Sequence, residues 1–150
     1  MTKSGFHSND GGWHHVAATI HRSGSNNIGE IYLDGVSIQT TTTASGTPIQ
    51  SSRAPNAIGR QSDKFHEGKI ADFAFYSSCL GDDDIKKLYN NGQPYNHAEG
   101  SFRGDLVGWW RMGDGQEQGK GTTIYDMSSN GYDATLTNMD NSNYTNDVPW

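Results

Sequence analysis

Six histidines, seventeen carboxylates and one cysteine are the residues of this 150-residue chain best suited to chemistry. A two-carboxylate glycosidase must aim both acids into one cleft. Acids on alternate positions of a strand would do so, but no Glu-x-Asp-x-Glu run occurs. The nearest pair, Glu30 and Asp34, is four positions apart, and Asp34 falls in a turn. His14, His15 and His21 are zinc-binding types, yet no cysteine or carboxylate stands at ligand spacing from them. As strand neighbours, His14 and His15 point to opposite faces, so structural roles are expected of all three. Asp82, Asp83 and Asp84 neither alternate nor enclose a turn glycine, as a calcium loop requires. They read as acids at the positive end of a helix. Residues 113–121 resemble a phosphate loop only superficially: its first glycine position is Asp114, and no Ser or Thr follows Lys120. Asn143-Tyr144-Thr145 is a glycosylation sequon, but without a secretory signal it means little. No catalytic residue is assigned, and the chain is expected not to be an enzyme.

The elements that would position a site are short strands. Hydrophobic residues make up only 32%, and Gly numbers nineteen; mean hydropathy is -0.79. This suits an all-β fold with many turns better than a helical bundle. Four Trp, seven Tyr and five Phe supply enough apolar area to argue against full disorder. A net charge of -6 with no basic cluster disfavours nucleic acid. No apolar run approaches membrane-spanning length, the first residues do not read as a signal peptide, and a lone Cys79 excludes an internal disulfide framework.

Along the chain, residues 1–12 form a lead-in loop and 13–22 alternate as a strand, with Val16, Ala18 and Ile20 on one face. Strands follow at 28–33 and 36–43, joined by Asp34-Gly35, a strong hairpin signal. Residues 48–56 are loop, 57–60 a short strand and 69–76 the most hydrophobic strand of this half. Residues 80–92 are the one good helix candidate, closed by Gly92, and 93–104 a linker. Residues 106–112 are a strand, 126–131 a turn, 134–138 a last strand and 141–150 a polar tail. The expected core is Trp13, Val16, Ala18, Ile31, Leu33, Ile58, Ile70, Phe73, Phe75, Leu88 and Trp110.

Five segments occur in a specific order: Trp13-His-His-Val-Ala, Ile31-Tyr-Leu-Asp-Gly-Val, Ala57-Ile-Gly-Arg, Gly68-Lys-Ile-Ala-Asp-Phe-Ala-Phe-Tyr, and Leu80 with its acidic helix. Together residues 13–92 resemble the back part of a laminin-G-like, concanavalin A-like module, of the type found in adhesion and bacteriophage virion proteins. Residues 105–140, with Leu106-Val-Gly-Trp-Trp-Arg-Met and Tyr125-Asp-Met-Ser-Ser-Asn-Gly, resemble the opening strands of the same module. The front therefore follows the back. The chain departs from the family at Ala71 (usually acidic), Gly81 (usually a Ser cap) and Ala134 (usually Gly). A permutant, a tandem repeat cut mid-module and a subunit completed by another chain all fit this order. The resemblance implies an all-β antiparallel β-sandwich, jelly-roll in type, with one short helix. It also implies a loop-stabilising carboxylate at Asp126, which is the weak candidate for calcium.

The resemblance puts Trp110 and Met112 on the core face of their strand, with Leu106. Trp109 then lies opposite with Val107 and Arg111, where it either packs beneath a loop or into a neighbouring subunit, or stands exposed and stacks on a sugar ring. Trp109, Arg111 and Tyr32 are the ligand-binding candidates; apart from calcium no cofactor is expected. The first expectation is a non-catalytic structural or interaction module of a fibre, decoration or adhesion protein, on a virion surface or outside a cell. Its partners would be other copies of itself or a neighbouring structural subunit. A calcium-assisted lectin binding surface glycans is the alternative, and a glycoside hydrolase the third. Lacking its intervening strands, the chain is expected to need a partner, with 1–12 and 138–150 as strand donors.

Overall fold

The structure, a computed structural model, describes residues 10–44, 57–61, 63–112, 119–145 and 147–149. The expected loop at 48–56, the glycine-rich stretch 113–118 and Trp150 lie outside the described residues. What is described falls into two compact units: residues 10–44 with 79–95 and Pro149, and residues 57–78 with 96–148.

The first unit is a three-stranded antiparallel sheet with a helix. Strands β1 (Val16–Ser23), β2 (Asn26–Leu33) and β3 (Val36–Ala44) run in sequence order. Asp34 and Gly35 both adopt positive φ, 48° and 76°, as the sequence signal at the β2–β3 turn requires. A side chain at Gly35 would also meet the Tyr89 ring, 3.1 Å from where its Cβ would stand. Helix α1 (Asp82–Tyr89) carries its three acids in the first turn and lysines in the last, matching the dipole at both ends. Asn90, not Gly92, takes the left-handed position that closes it, with its N–H on the Lys86 carbonyl.

Register fixes the two faces of this sheet. Val16 pairs with Leu33, Ala18 with Ile31, and Leu33 with Val36, so these residues share one apolar face. Tyr32 and Glu30 lie on the other, where Tyr32 reaches Asp82 of α1. The helix thus lies on the mixed face; on the apolar face Val16 is 55% exposed, and Ile31 and Leu33 are half-buried. The core of this unit is Tyr32, Leu80, Ile85 and Leu88.

The second unit pairs β6 (Phe73–Tyr76) with β7 (Leu106–Trp110), and adds two small antiparallel sheets. Strands β4 (Arg60–Gln61) and β5 (Lys64–Phe65) form one. Strands β8 (Gly119–Lys120), β9 (Thr123–Ile124) and β10 (Ala134–Thr135) form the other. Strand β6 is shorter than the sequence suggests because Asp72 sits at φ 57°, outside strand geometry.

The β6–β7 register carries a bulge. Tyr76 faces Leu106 and Phe75 faces Gly108, which leaves Val107 as an extra residue. One extra residue reverses the alternation beyond it. Leu106 and Trp109 therefore share the buried face, and Trp110 joins Phe73 and Phe75 on the other. The core here is Leu106, Trp109 and Ile124.

This corrects the core expected from sequence. Of those residues only Leu88 is buried; Val16, Ala18, Ile70, Phe73 and Phe75 are exposed, and Trp13, Ile31, Leu33, Ile58 and Trp110 are half-buried. Alternation identified the apolar face of β1 correctly. It could not say that the helix would pack on the reverse side.

Candidate functional site

Trp109 sits at the centre of the second unit's polar cluster. It is 6% exposed, so of the two expected roles it takes that of a packed ring and not that of an open stacking platform; the bulge turns it inward. Its backbone N–H donates to Asp126 Oδ1 at 2.8 Å, and its indole N–H to Asp72 Oδ1 at 2.6 Å. The Arg111 guanidinium stands 5.9 Å from its ring centroid, within cation–π range. Arg111 therefore serves the Trp109 ring as much as any ligand.

Asp126 holds the loop that crosses β7. Its Oδ1 accepts the N–H groups of Trp109 and Ser128, and its Oδ2 accepts the Ser128 hydroxyl and the Tyr132 N–H, all at 2.8–2.9 Å. Burial pushes its pKa up, but the donors, led by the Trp109 and Ser128 N–H groups, outweigh it and hold the carboxyl below its ordinary value. Asn130 Nδ2 completes the fastening by donating to the carbonyls of Leu106 and Val107 at the bulge. Two donors on each oxygen leave a calcium ion no free lone pair directed at it. Asp126 fits the loop-stabilising role and does not fit as a cation ligand.

Two residues that sequence reasoning left unassigned complete this cluster. His97 is buried, its Nδ1 bonded to the Tyr76 hydroxyl, its Nε2 3.5 Å from Asp72 Oδ2, and its ring 5.2 Å from that of Trp109. No spacing pattern could have flagged it, because Asp72 and His97 lie 25 positions apart and meet only through the fold.

Trp110 is the aromatic that the bulge turns outward. Its ring lies over Gly108, where a Cβ would fall 2.3 Å from the indole. Its Nε1–H donates to the Tyr132 carbonyl at 2.8 Å, and Phe73 packs beside it with centroids 5.9 Å apart. A glycine beneath and a fixed indole nitrogen hold the ring in one orientation.

In the first unit, Tyr32 is wholly buried, which removes it as a ligand-binding residue. Its hydroxyl is 2.7 Å from Asp82 Oδ1 and 3.0 Å from Glu30 Oε2. Burial, with the two carboxylates adding to it, pushes its ionisation far above the ordinary tyrosine value. Glu30 is thus turned to Tyr32. Asp34 Oδ1 instead accepts the His15 N–H at 3.0 Å, and its Oδ2 lies 2.8 Å from His14 Nδ1. The three histidines go separate ways: His14 to Asp34 and Asp10, His15 against the Tyr89 ring, His21 to Cys79 Sγ at 3.7 Å. Among the described residues no group of three or more His, Cys, Asp or Glu could hold a metal ion.

A family model described as the concanavalin A-like lectin/glucanases superfamily, laminin G type, matches residues 2–86. The chain belongs to this superfamily, and its fold class is the all-β antiparallel sandwich with one short helix. No curated protein and no solved structure matches the chain. No helix among the described residues is long and apolar enough to cross a membrane.

Proposed function

We propose that the protein is a non-catalytic structural or interaction module of a larger extracellular or virion assembly, such as a fibre, decoration or adhesion protein. One observation carries this reading: among the described residues, apolar side chains of β1 and β3 are largely exposed, with Val16, Ile20 and Val36 more than half so. An exposed apolar surface of this kind is characteristic of a surface that meets a partner, and another copy of the chain or a neighbouring subunit fits it. Superfamily membership leaves the question open, because one fold serves many functions. Light scattering on the intact chain should give an oligomer, and Ile20→Ser should shift it toward monomer. A stable monomer, unchanged by that substitution, would refute self-association. No turnover of polysaccharides is expected. Activity abolished by Glu30→Gln would overturn the non-catalytic reading.

The seat of Trp110 favours carbohydrate binding as a second reading. A fixed indole beside Phe73 and Phe75 offers a flat apolar surface to a sugar ring. The test is a glycan array with and without calcium: specific binding lost in Trp110→Ala, with the fold intact, supports it. Absence of binding under both conditions removes it.

A further inference from the structure

We propose that the outer edge of β3 is an interface, where the chain pairs antiparallel with β3 of a second copy to make one continuous sheet. Edge pairing rests on the self-association proposed above and gives it a second surface, distinct from the exposed apolar side chains. The register shows which backbone groups are available. Ser23 and Asn26 flank the two-residue turn Gly24-Ser25, and Leu33 and Val36 flank Asp34-Gly35. Residues flanking such a turn bond each other, and bonding direction then alternates along the strand. The backbone of Asn26 thus points to β1, and those of Asn27, Gly29, Ile31 and Leu33 to β3. Their partners are Thr43, Thr41, Gln39 and Val36. The N–H and C=O groups of Thr40, Thr42 and Ala44 therefore point away from β2. No hydrogen bond leads from these backbone groups to any described residue.

Sheet edges are normally guarded by charge, proline, a bulge or a covering segment. The other edge of this sheet, β1, carries His21 and Arg22, and the chain just before it is fastened by the Asp34 N–H on the His15 carbonyl. Strand β3, with the sequence VSIQTTTTA, has no charged residue and no proline, and every residue of it is exposed. Its one guard is a bulge at Ile38, which falls between the pairs Tyr32–Ser37 and Ile31–Gln39. Beyond the bulge, residues 39–44 keep a regular register. Their threonines favour strand geometry, and a neutral segment of this length without proline suits strand-to-strand pairing.

The chemistry of this edge fits a copy of itself. With a net charge of -6, two copies repel each other at long range and meet best through neutral surface, which β3 supplies. Antiparallel pairing about a two-fold axis near Thr41 or Thr42 sets threonine against threonine, a favourable cross-strand pair. Residues opposite each other share a face in such a pair, so the α1 helices of both copies lie on the same side of the joined sheet.

Hydrogen exchange and light scattering on the intact chain, from dilute to concentrated, test this. As molar mass rises, exchange of the Thr40 and Thr42 amides should slow several-fold, while Thr41 and Thr43, already bonded to β2, should not change. Thr42→Pro removes an outward N–H and no bond of the sheet. This variant should keep its circular dichroism and lose the rise in mass. Ile20→Ser tells the two surfaces apart. Mass lost in Ile20→Ser but kept in folded Thr42→Pro overturns edge pairing and leaves the apolar association standing. The reverse supports edge pairing and removes the apolar association. Loss in both, with the Thr42 amide slowed in the native oligomer, supports edge pairing. Association that leaves Thr40 and Thr42 exchange unchanged overturns it without any variant, as does a monomer at every concentration.

Discussion

The indole N–H of Trp109 reaches Asp72 Oδ1 at 2.6 Å, and so ties the middle of β7 to the left-handed residue that precedes β6. Replacing Trp109 by Phe keeps most of the ring but removes this donor from a largely buried carboxylate. The expected loss is about 1–3 kcal/mol. A double-mutant cycle with Asp72→Asn, read by urea unfolding, should show coupling between the two; additive losses would count against the bond.

Asp126→Ala would strip the acceptor from the Trp109, Ser128 and Tyr132 N–H groups at once. A loss of at least about 2 kcal/mol is expected, since each buried N–H left unpaired is costly. The pH dependence carries a second signature. Asp126 has a lowered folded pKa, so its contribution is present above the ordinary carboxylate value and fades as pH falls through the folded one. The variant should lose part of the acid sensitivity of the native protein, measured as unfolding midpoint against pH.

Tyr32→Phe should cost about 1 kcal/mol, the typical worth of the lost hydroxyl bond, whereas Tyr32→Ala should cost about 3–5 kcal/mol through the cavity it leaves. Thermal unfolding of both variants checks the ratio. Equal effects would mean that the hydroxyl, and not the ring, holds α1 to the sheet.

Phe75→Ala should destabilise the isolated chain by less than about 1 kcal/mol, because the side chain is already 56% exposed. Its larger effect should be on glycan binding beside Trp110, seen as a weaker signal on a glycan array. A loss above about 3 kcal/mol in dilute, monomeric sample would put Phe75 in a core after all.

Much of the local structure was legible in the sequence. Asp34-Gly35 demands positive φ at both positions, and the structure has it. The acids of 82–84 mark a helix start because the dipole favours them there, and Asp126 was already implied to be a loop anchor. The candidate site was far less legible, because a single extra residue decides it. Val107 lies outside the ladder, and simple alternation from Leu106 onward therefore assigned Trp109 and Trp110 to the wrong faces. The core was misjudged for a different reason. Period-two patterning shows which residues share a face, but whether α1 lies on that face or its reverse depends on Tyr32 finding Asp82, a contact across 50 positions.

The bulge also makes β7 one residue longer than its partner needs. Losing Val107 would leave Leu106 opposite Tyr76, Gly108 opposite Phe75 and Trp109 opposite Ala74, since those pairings already skip it. A chain lacking Val107 should therefore keep both tryptophans facing as they do. The Asn130 contact to the Val107 carbonyl would be the part forfeited.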